Sequence, residues 1–195
     1  MSGSAPDEPV VFGTAIQAMR NALKDQVTPA LHERLKKSGV DFDKIRPAYP
    51  MDTWVEVIRI AGAELFSNEP ESTRYVTLGR SFMRGFAETG VGFAAHQLGK
   101  LIGVKRTLMR MGRNFRQASN YLETEISDVG EKEVRIRTYT HQKFLARATD
   151  RTNLVTDYRR GVLTEVLVLL GAVGTVDIIE RSLEKQDSTF RVTWS

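Results

Sequence analysis

A chain of 195 residues has the length of one domain, or of one with a small appendage, and buries roughly 70% of the surface its unfolded form exposes, so it folds without a disulfide or metal staple. It has no cysteine, which excludes a disulfide framework, thiolate zinc sites, a cysteine nucleophile and palmitoylation. Net charge is +4, with an isoelectric point near 9.4 and 27% charged residues of both signs, a balance that permits anion binding without arguing for nucleic acid.

Residues 1–9 (MSGSAPDEP) are small and acidic and read as a disordered leader, lacking the basic start and apolar run of a signal peptide. The longest apolar stretch, 162–176, carries Thr164, Glu165 and two glycines and is too short to span a bilayer. The expectation is a soluble cytoplasmic protein without a membrane partner, residues 10–195 forming one α+β domain.

In chain order, a first helix is predicted with Ala15, Ile16, Met19 and Leu23 on one face and Arg20 and Lys24 on the other. It stops before Thr28 and Pro29, which suit the N-cap and N1 positions of a second, short helix that Gly39 ends. Residues 39–50, with two prolines and alternating charge, read as a loop. Asp52 is expected to cap the next helix, whose wide stripe of Trp54, Val55, Ile58, Ala61, Leu65 and Phe66 implies burial on most sides. After a turn at 67–70, a helix from about Ser72 places Leu78, Phe82 and Phe86 on one face. Gly90 and Gly92 then break or kink the chain, and a last helical region runs from about Phe93 to Met111, with Gly99 and Gly103 as weak points.

At Tyr121 the period changes to two, with Tyr121, Glu123 and Glu125 alternating with Leu122, Thr124 and Ile126. A hairpin turn at 128–132 leads to Val134, Ile136, Thr138 and Thr140 on one side of a second strand. A nearly all-apolar helix at 158–170 ends at Gly171; a strand from Val176, a turn at 185–188 and a strand with Phe190, Val192 and Trp194 complete the chain. The fold class is therefore α+β: a helical layer packed on a four-stranded antiparallel sheet in ββαββ order, with the helix at 162–170 in the middle of the core.

Chemistry-bearing residues are sparse. His32, His96 and His141 form no pair at helical spacing, so no metal site is expected. His96 follows Phe93, Ala94 and Ala95 in an apolar helix, where an imidazole either packs in the helix or ligates a haem iron; packing is the simpler account. Lys100, Lys105, Arg106, Arg110, Arg113 and Arg116 form the densest basic run, and three of its arginines share a helix face able to hold a phosphate, a carboxylate or an acidic partner, or simply to meet solvent. Glu123 and Glu125 beside Arg135 and Arg137 read as cross-strand charge pairs. There is no G-x-S-x-G, no Walker loop and no G-x-G-x-x-G, and nothing sets a nucleophile beside a base, so no catalytic residue is assigned.

Several phrases carry a resemblance. Pro47-Ala48-Tyr49-Pro50 with Thr53-Trp54, Gly79-Arg80 with Phe82, Gly85 and Ala87-Glu88-Thr89, Met111, Arg113-Asn114-Phe115-Arg116, Asn120-Tyr121 and the closing Phe190-Arg191-Val192-Thr193-Trp194 together resemble a myxobacterial paralogous family of uncharacterised proteins of about 200 residues. The order of elements, Gly161 in a long apolar helix and Phe190 in the last strand are more distantly similar to the ligand-binding fold shared by the haem-nitric-oxide-binding domain, the vinyl-4-reductase domain and transport-particle subunits. The haem-binding members carry Tyr-x-Ser-x-Arg for the propionates, where this chain has Tyr121-Leu122-Glu123-Thr124-Glu125, so that resemblance implies haem only weakly. The cysteines of the vinyl-4-reductase type are missing.

The resemblance implies a pocket between helices and sheet and a non-enzymatic sensor or regulatory module. Trp54, Phe82, Phe86 and Phe115 are the candidate apolar contacts, Arg113 and Arg116 the candidate partners of an acidic group, and His96 the residue that would hold a haem if one were bound. The alternative is a scaffold or protein–protein interaction module acting as a homodimer without ligand.

Overall fold

The computed structural model describes residues 8–148 and 153–195, without the side chains of residues 25, 112–115 and 117. The chain opens with a three-residue strand, β1 (Val10–Phe12), paired antiparallel with β2 (Ala48–Pro50). The loop expected at 39–50 therefore ends in a strand. Three residues, one of them proline, are too few to show alternation, so this pair has no periodic signal.

Helix α1 (Gly13–Leu23) buries Ala15, Ile16, Met19 and Leu23, the predicted face. A single 3₁₀ turn follows, and α2 (Pro29–Lys37) starts as its sequence dictates, with Pro29 in the first turn and Thr28 Oγ1 accepting the Leu31 N–H at 3.1 Å. In α3 (Met51–Leu65), Pro50 holds the N-cap position and Asp52 sits inside the first turn. Asp52 is not the cap because β2 runs directly into the helix and fixes its start two residues earlier; a carboxylate there still faces the positive helix end.

Helix α4 (Glu71–Ala87) is the hub. It packs against α1, α3, α5 (Gly90–Ile102) and α8 (Leu154–Leu169). Gly90 and Gly92 open α5 instead of breaking it, because Thr89 Oγ1 accepts the Gly92 N–H at 3.1 Å and caps the helix. The helical region expected at 93–111 is two helices: Gly103, at φ +82°, separates α5 from α6 (Val104–Ala118).

The sheet follows the predicted alternation. Strands β3 (Leu122–Gly130), β4 (Glu133–Thr140), β5 (Gly174–Ser182) and β6 (Asp187–Trp194) are antiparallel in the order β3-β4-β6-β5, with a short helix, α7 (Gln142–Leu145), and then α8 between β4 and β5. In register, Ile136 lies between Ile126 and Phe190, and Val192 between Val134 and Val176. These side chains face α8 and α6, while Arg137 on the opposite face pairs with Glu125 at 3.1 Å.

Two apolar clusters meet across α8. One joins α1, α2, α3, α4 and the start of α8; the other joins the end of α8, α6 and the sheet. The two halves are also tied near the chain start, where Asn120 Oδ1 accepts the Val10 N–H at 2.8 Å.

Candidate ligand cleft

An apolar cavity lies between α4, α5, α6 and α8. Its volume is about 90 Å³. Phe82, Met83 and Phe86 come from α4, Gly92, Ala95 and His96 from α5, Thr107, Met111 and Ala118 from α6, and Val162, Val166 and Leu169 from α8, with Leu170 just beyond it. Helix geometry explains the convergence: Phe82 and Phe86 are four apart, as are Val162 and Val166, so each pair stacks along one face. Divergence of α5 from α8 leaves the gap that these side chains half close.

The wall made by α5 is thin. Gly92 and Gly99 form its contact strip, because a Cβ at Gly92 would lie 1.8 Å from the Phe86 carbonyl oxygen and one at Gly99 2.8 Å from Leu170 Cδ2. Between them His96 Nε2 donates to the Leu169 carbonyl over 2.8 Å. A carbonyl only accepts, so the proton is on Nε2. Leu169 is in the last turn of α8, where carbonyls lack helical partners, and the imidazole satisfies one of them. Thr107 Oγ1 of α6 adds a second tie by donating to the Gly99 carbonyl at 3.2 Å, beside its bond to the Gly103 carbonyl at 2.8 Å.

The structure brings only part of the predicted set together. Phe82, Phe86 and His96 line the cleft. Trp54 does not; it stands edge-on to Phe82 at 5.7 Å and to Tyr158 at 6.1 Å in the aromatic cluster behind it, with Phe82 the link between cluster and cleft. Arg116 is exposed, 3.9 Å from Glu123, and is not among the lining residues. The side chains of Arg113 and Phe115 lie outside the described residues. Met83, Met111, Val162, Val166 and Leu169 also line the cleft, and in the sequence only their position on facing stripes of α4, α6 and α8 points to a shared lining.

The other two histidines are elsewhere. His141 caps α7, its Nδ1 accepting the Lys143 N–H at 3.2 Å. His32 Nε2 is 3.6 Å from Asp41 and 3.9 Å from Asp43, in a group of three side chains that also lies close to Lys36. Asp41 is held below the usual carboxylate range chiefly by the Asp43 backbone N–H.

Solved structures to which this fold is similar include H-NOX domains. A doubly substituted Tt H-NOX shares 15% identity at TM-score 0.68, over 94% of this chain and 95% of that one. An oxygen-binding H-NOX domain related to soluble guanylate cyclases, in its oxygen complex, shares 16% identity at TM-score 0.64, over 94% and 92%. A substituted H-NOX of T. tengcongensis shares 16% at TM-score 0.59, over 94% of each chain. No curated protein sequence matches.

Haem, which the work on H-NOX structures names, does not suit the residues present here. The cavity is far below the 300–1,000 Å³ usual for an enclosing ligand pocket. The one imidazole in its lining has its Nε2 already bound to a carbonyl. Tyr121, Glu123 and Glu125, which the resemblance sets nearest to the propionate-binding tyrosine, serine and arginine, do not line the cleft. Glu123 faces Arg116, and Glu125 accepts from Arg137 at 3.1 Å and from the Tyr139 hydroxyl at 2.9 Å, so these carboxylates are committed to protein partners and would repel a propionate. The sequence itself gives the family: residues 9–195 match the family described as "Protein of unknown function (DUF2378)", to which this chain belongs.

Proposed function

We propose that the chain is a non-enzymatic small-molecule-binding sensor or regulatory module, and that its ligand enters the cleft walled by α4, α5, α6 and α8. The observation that carries this reading is the cleft's construction: apolar side chains from four helices around a single imidazole, closed on one side by a helix whose buried residues are two glycines and whose side-chain ties are His96 to α8 and Thr107 of α6. Such a wall moves at low cost, and a ligand that prefers one position of α5 shifts the population of that position.

The occupant follows from size and polarity. A cavity of about 90 Å³ lies below the roughly 150 Å³ that accepts benzene in an engineered apolar cavity. It takes a neutral, apolar molecule of a few heavy atoms as it stands; anything larger displaces α5. An oxygen-binding neighbour of the same architecture supports a small neutral occupant, here without a metal centre. Within the cleft Thr107 and His96 are both engaged by backbone carbonyls, which leaves no nucleophile beside a base and supports sensing over catalysis.

Native mass spectrometry of the full chain beside Val166→Phe tests the proposal, the added ring filling the cleft. The expected result is a small bound mass, or binding of an added apolar gas such as xenon, present in the parent and lost in the variant. A parent that binds nothing, at a mass showing a dimer, favours the ligand-free scaffold.

A further inference from the structure

The outer face of α5 has no protein partner among the described residues. Phe93 is 57% and Leu101 84% exposed, and Val91 and Leu98 are about half exposed. Val91, Leu98 and Leu101 recur at helical spacing, so they form a continuous apolar stripe on the side away from the cleft. Exposed apolar side chains standing singly are ordinary; a stripe of this kind on one helix marks a surface with an occupant.

The charge around the stripe identifies the occupant. Residues 90–118, which span α5 and α6, hold six cations and no aspartate or glutamate, in a chain whose whole net charge is only +4. The rest of the molecule is therefore slightly acidic, and the basic character is confined to these two helices. Lys105 is engaged by Asp128 at 2.8 Å, and Arg116 is near Glu123. Lys100, Arg106 and Arg110 are exposed, and Arg106 and Arg110 are four apart on α6 beside exposed Met109. The buried face of α6, with Leu108 and Met111, is spent on the sheet, and Arg106, Arg110 and Arg116 are exposed.

A second copy of the chain is a poor occupant, because a two-fold pairing through this face would set the cationic segment against itself. A protein partner would need polar groups to fix its register, about one hydrogen bond per 100–200 Å² of interface, and the stripe offers only Gln97 and Lys100. Apolar side chains bordered by cations and by no acids are what an anionic lipid surface recognises. We propose that α5 and α6 form a peripheral docking surface for anionic lipid, with Val91, Phe93, Leu98 and Leu101 at the acyl boundary and Lys100, Arg106 and Arg110 among the headgroups. The expectation of no membrane partner concerns a spanning segment; among the described residues no helix is long and apolar enough to cross a membrane, and a surface-bound helix needs no span. The proposal does not depend on the ligand cleft, which uses the opposite side of α5.

Sedimentation of the full chain with vesicles of mixed phosphatidylcholine and phosphatidylserine, against phosphatidylcholine alone, tests it. The parent is expected to sediment with the mixed vesicles only, and less as salt rises. Arg106→Gln with Arg110→Gln should weaken binding by about fivefold per cation removed, and Leu98→Gln with Leu101→Gln by about tenfold or more. All four positions are exposed, and unchanged circular dichroism verifies that the variants fold. No sedimentation of the parent, equal sedimentation with both vesicles, or undiminished binding by the leucine variant each overturns the proposal. So does displacement from the vesicles by polyglutamate at equal charge with the leucine variant still binding the polymer, which would assign the surface to an acidic protein.

Discussion

Gly79 of α4 and Gly161 of α8 face each other's helix at backbone distance. A Cβ added to Gly79 would lie 2.1 Å from the Tyr158 carbonyl oxygen, and one added to Gly161 would lie 2.1 Å from the Val76 carbonyl oxygen. The two helices therefore cross with no side chain between them at that point, and the obstacles on both sides are backbone, which cannot rotate away. Because the same pair of helices supplies Phe82, Phe86, Val162 and Val166 to the cleft, this crossing sets the cleft's width.

Gly79→Ala or Gly161→Ala must push the helices apart. Overpacking a tight core costs about 1–3 kcal/mol and more where backbone is the obstacle, whereas alanine is otherwise the better helix residue by up to about 1 kcal/mol. The net expectation is destabilisation of about 3 kcal/mol for either variant, measured by urea unfolding. A gain in stability would show that the helices are not in contact at this crossing.

Tyr158 lies one helical turn before Gly161, and its hydroxyl is buried without a hydrogen-bond partner among the described residues. Burial pushes its ionisation well above the ordinary tyrosine value, with the neighbouring Tyr121 adding to the effect. An unsatisfied buried hydroxyl costs about 1–3 kcal/mol. Tyr158→Phe keeps the ring contacts with Trp54 and Phe82 and removes the orphan group. Stability should rise by about 1 kcal/mol, seen as a higher urea midpoint with an unchanged slope. A loss of that size would reveal a bound water or another partner at the hydroxyl.

Tyr121, also buried, is pushed up to about 12 by burial, which outweighs the favourable field of Arg159. Its folded-state pKa thus exceeds its unfolded value of 10.0, so the folded protein holds the proton longer. The sign follows: this contribution is whole below pH 10 and is lost as pH rises toward 12, a swing on the order of 2–3 kcal/mol. Unfolding midpoints taken from about pH 9 to about pH 12 should fall steeply in the parent and less in Tyr121→Phe. Equal slopes would mean that Tyr121 titrates freely in the folded state.

The sheet was legible because its strands keep one face dry: Val134, Ile136, Phe190 and Val192 alternate with arginines and threonines, and a one-residue slip would bury the charges. Thr28 and Pro29 located α2 for an equally local reason. The pairing of Val10–Phe12 with Ala48–Pro50 was not legible, since it depends on residues about forty positions apart and has no periodic pattern. The cleft was half legible. Phe82 and Phe86 stood out as aromatics on a helix face, but Met83, Val162 and Val166 look like any core residue until the crossing angle of α4 and α8 is known. Trp54 drew the eye for its size and proved to support Phe82 from behind. The split of α5 from α6 turned on Gly103, whose left-handed φ is a property of the fold and not of the letter.

His96 is the last case, and it separates holding a helix from binding a ligand. Its Nε2–H bond to Leu169 ties α5 to α8, and the glycines of that strip meet Phe86, Leu170 and Thr107. Removing it in His96→Ala takes away about 1 kcal/mol of local stability, which corresponds to roughly fivefold faster opening of α5. Global stability changes little, because α5 opens without disrupting the α4–α8 core. Hydrogen exchange should therefore quicken at the amides of α5 and stay constant in α8. His96→Gln keeps an N–H donor at similar reach and should restore slow exchange, a rescue that a purely steric role for the ring would not give. Should both variants exchange alike while the parent stays slow, the ring's packing and not its hydrogen bond holds the wall, and the ease of opening that the sensing proposal relies on would have to come from the glycine strip alone.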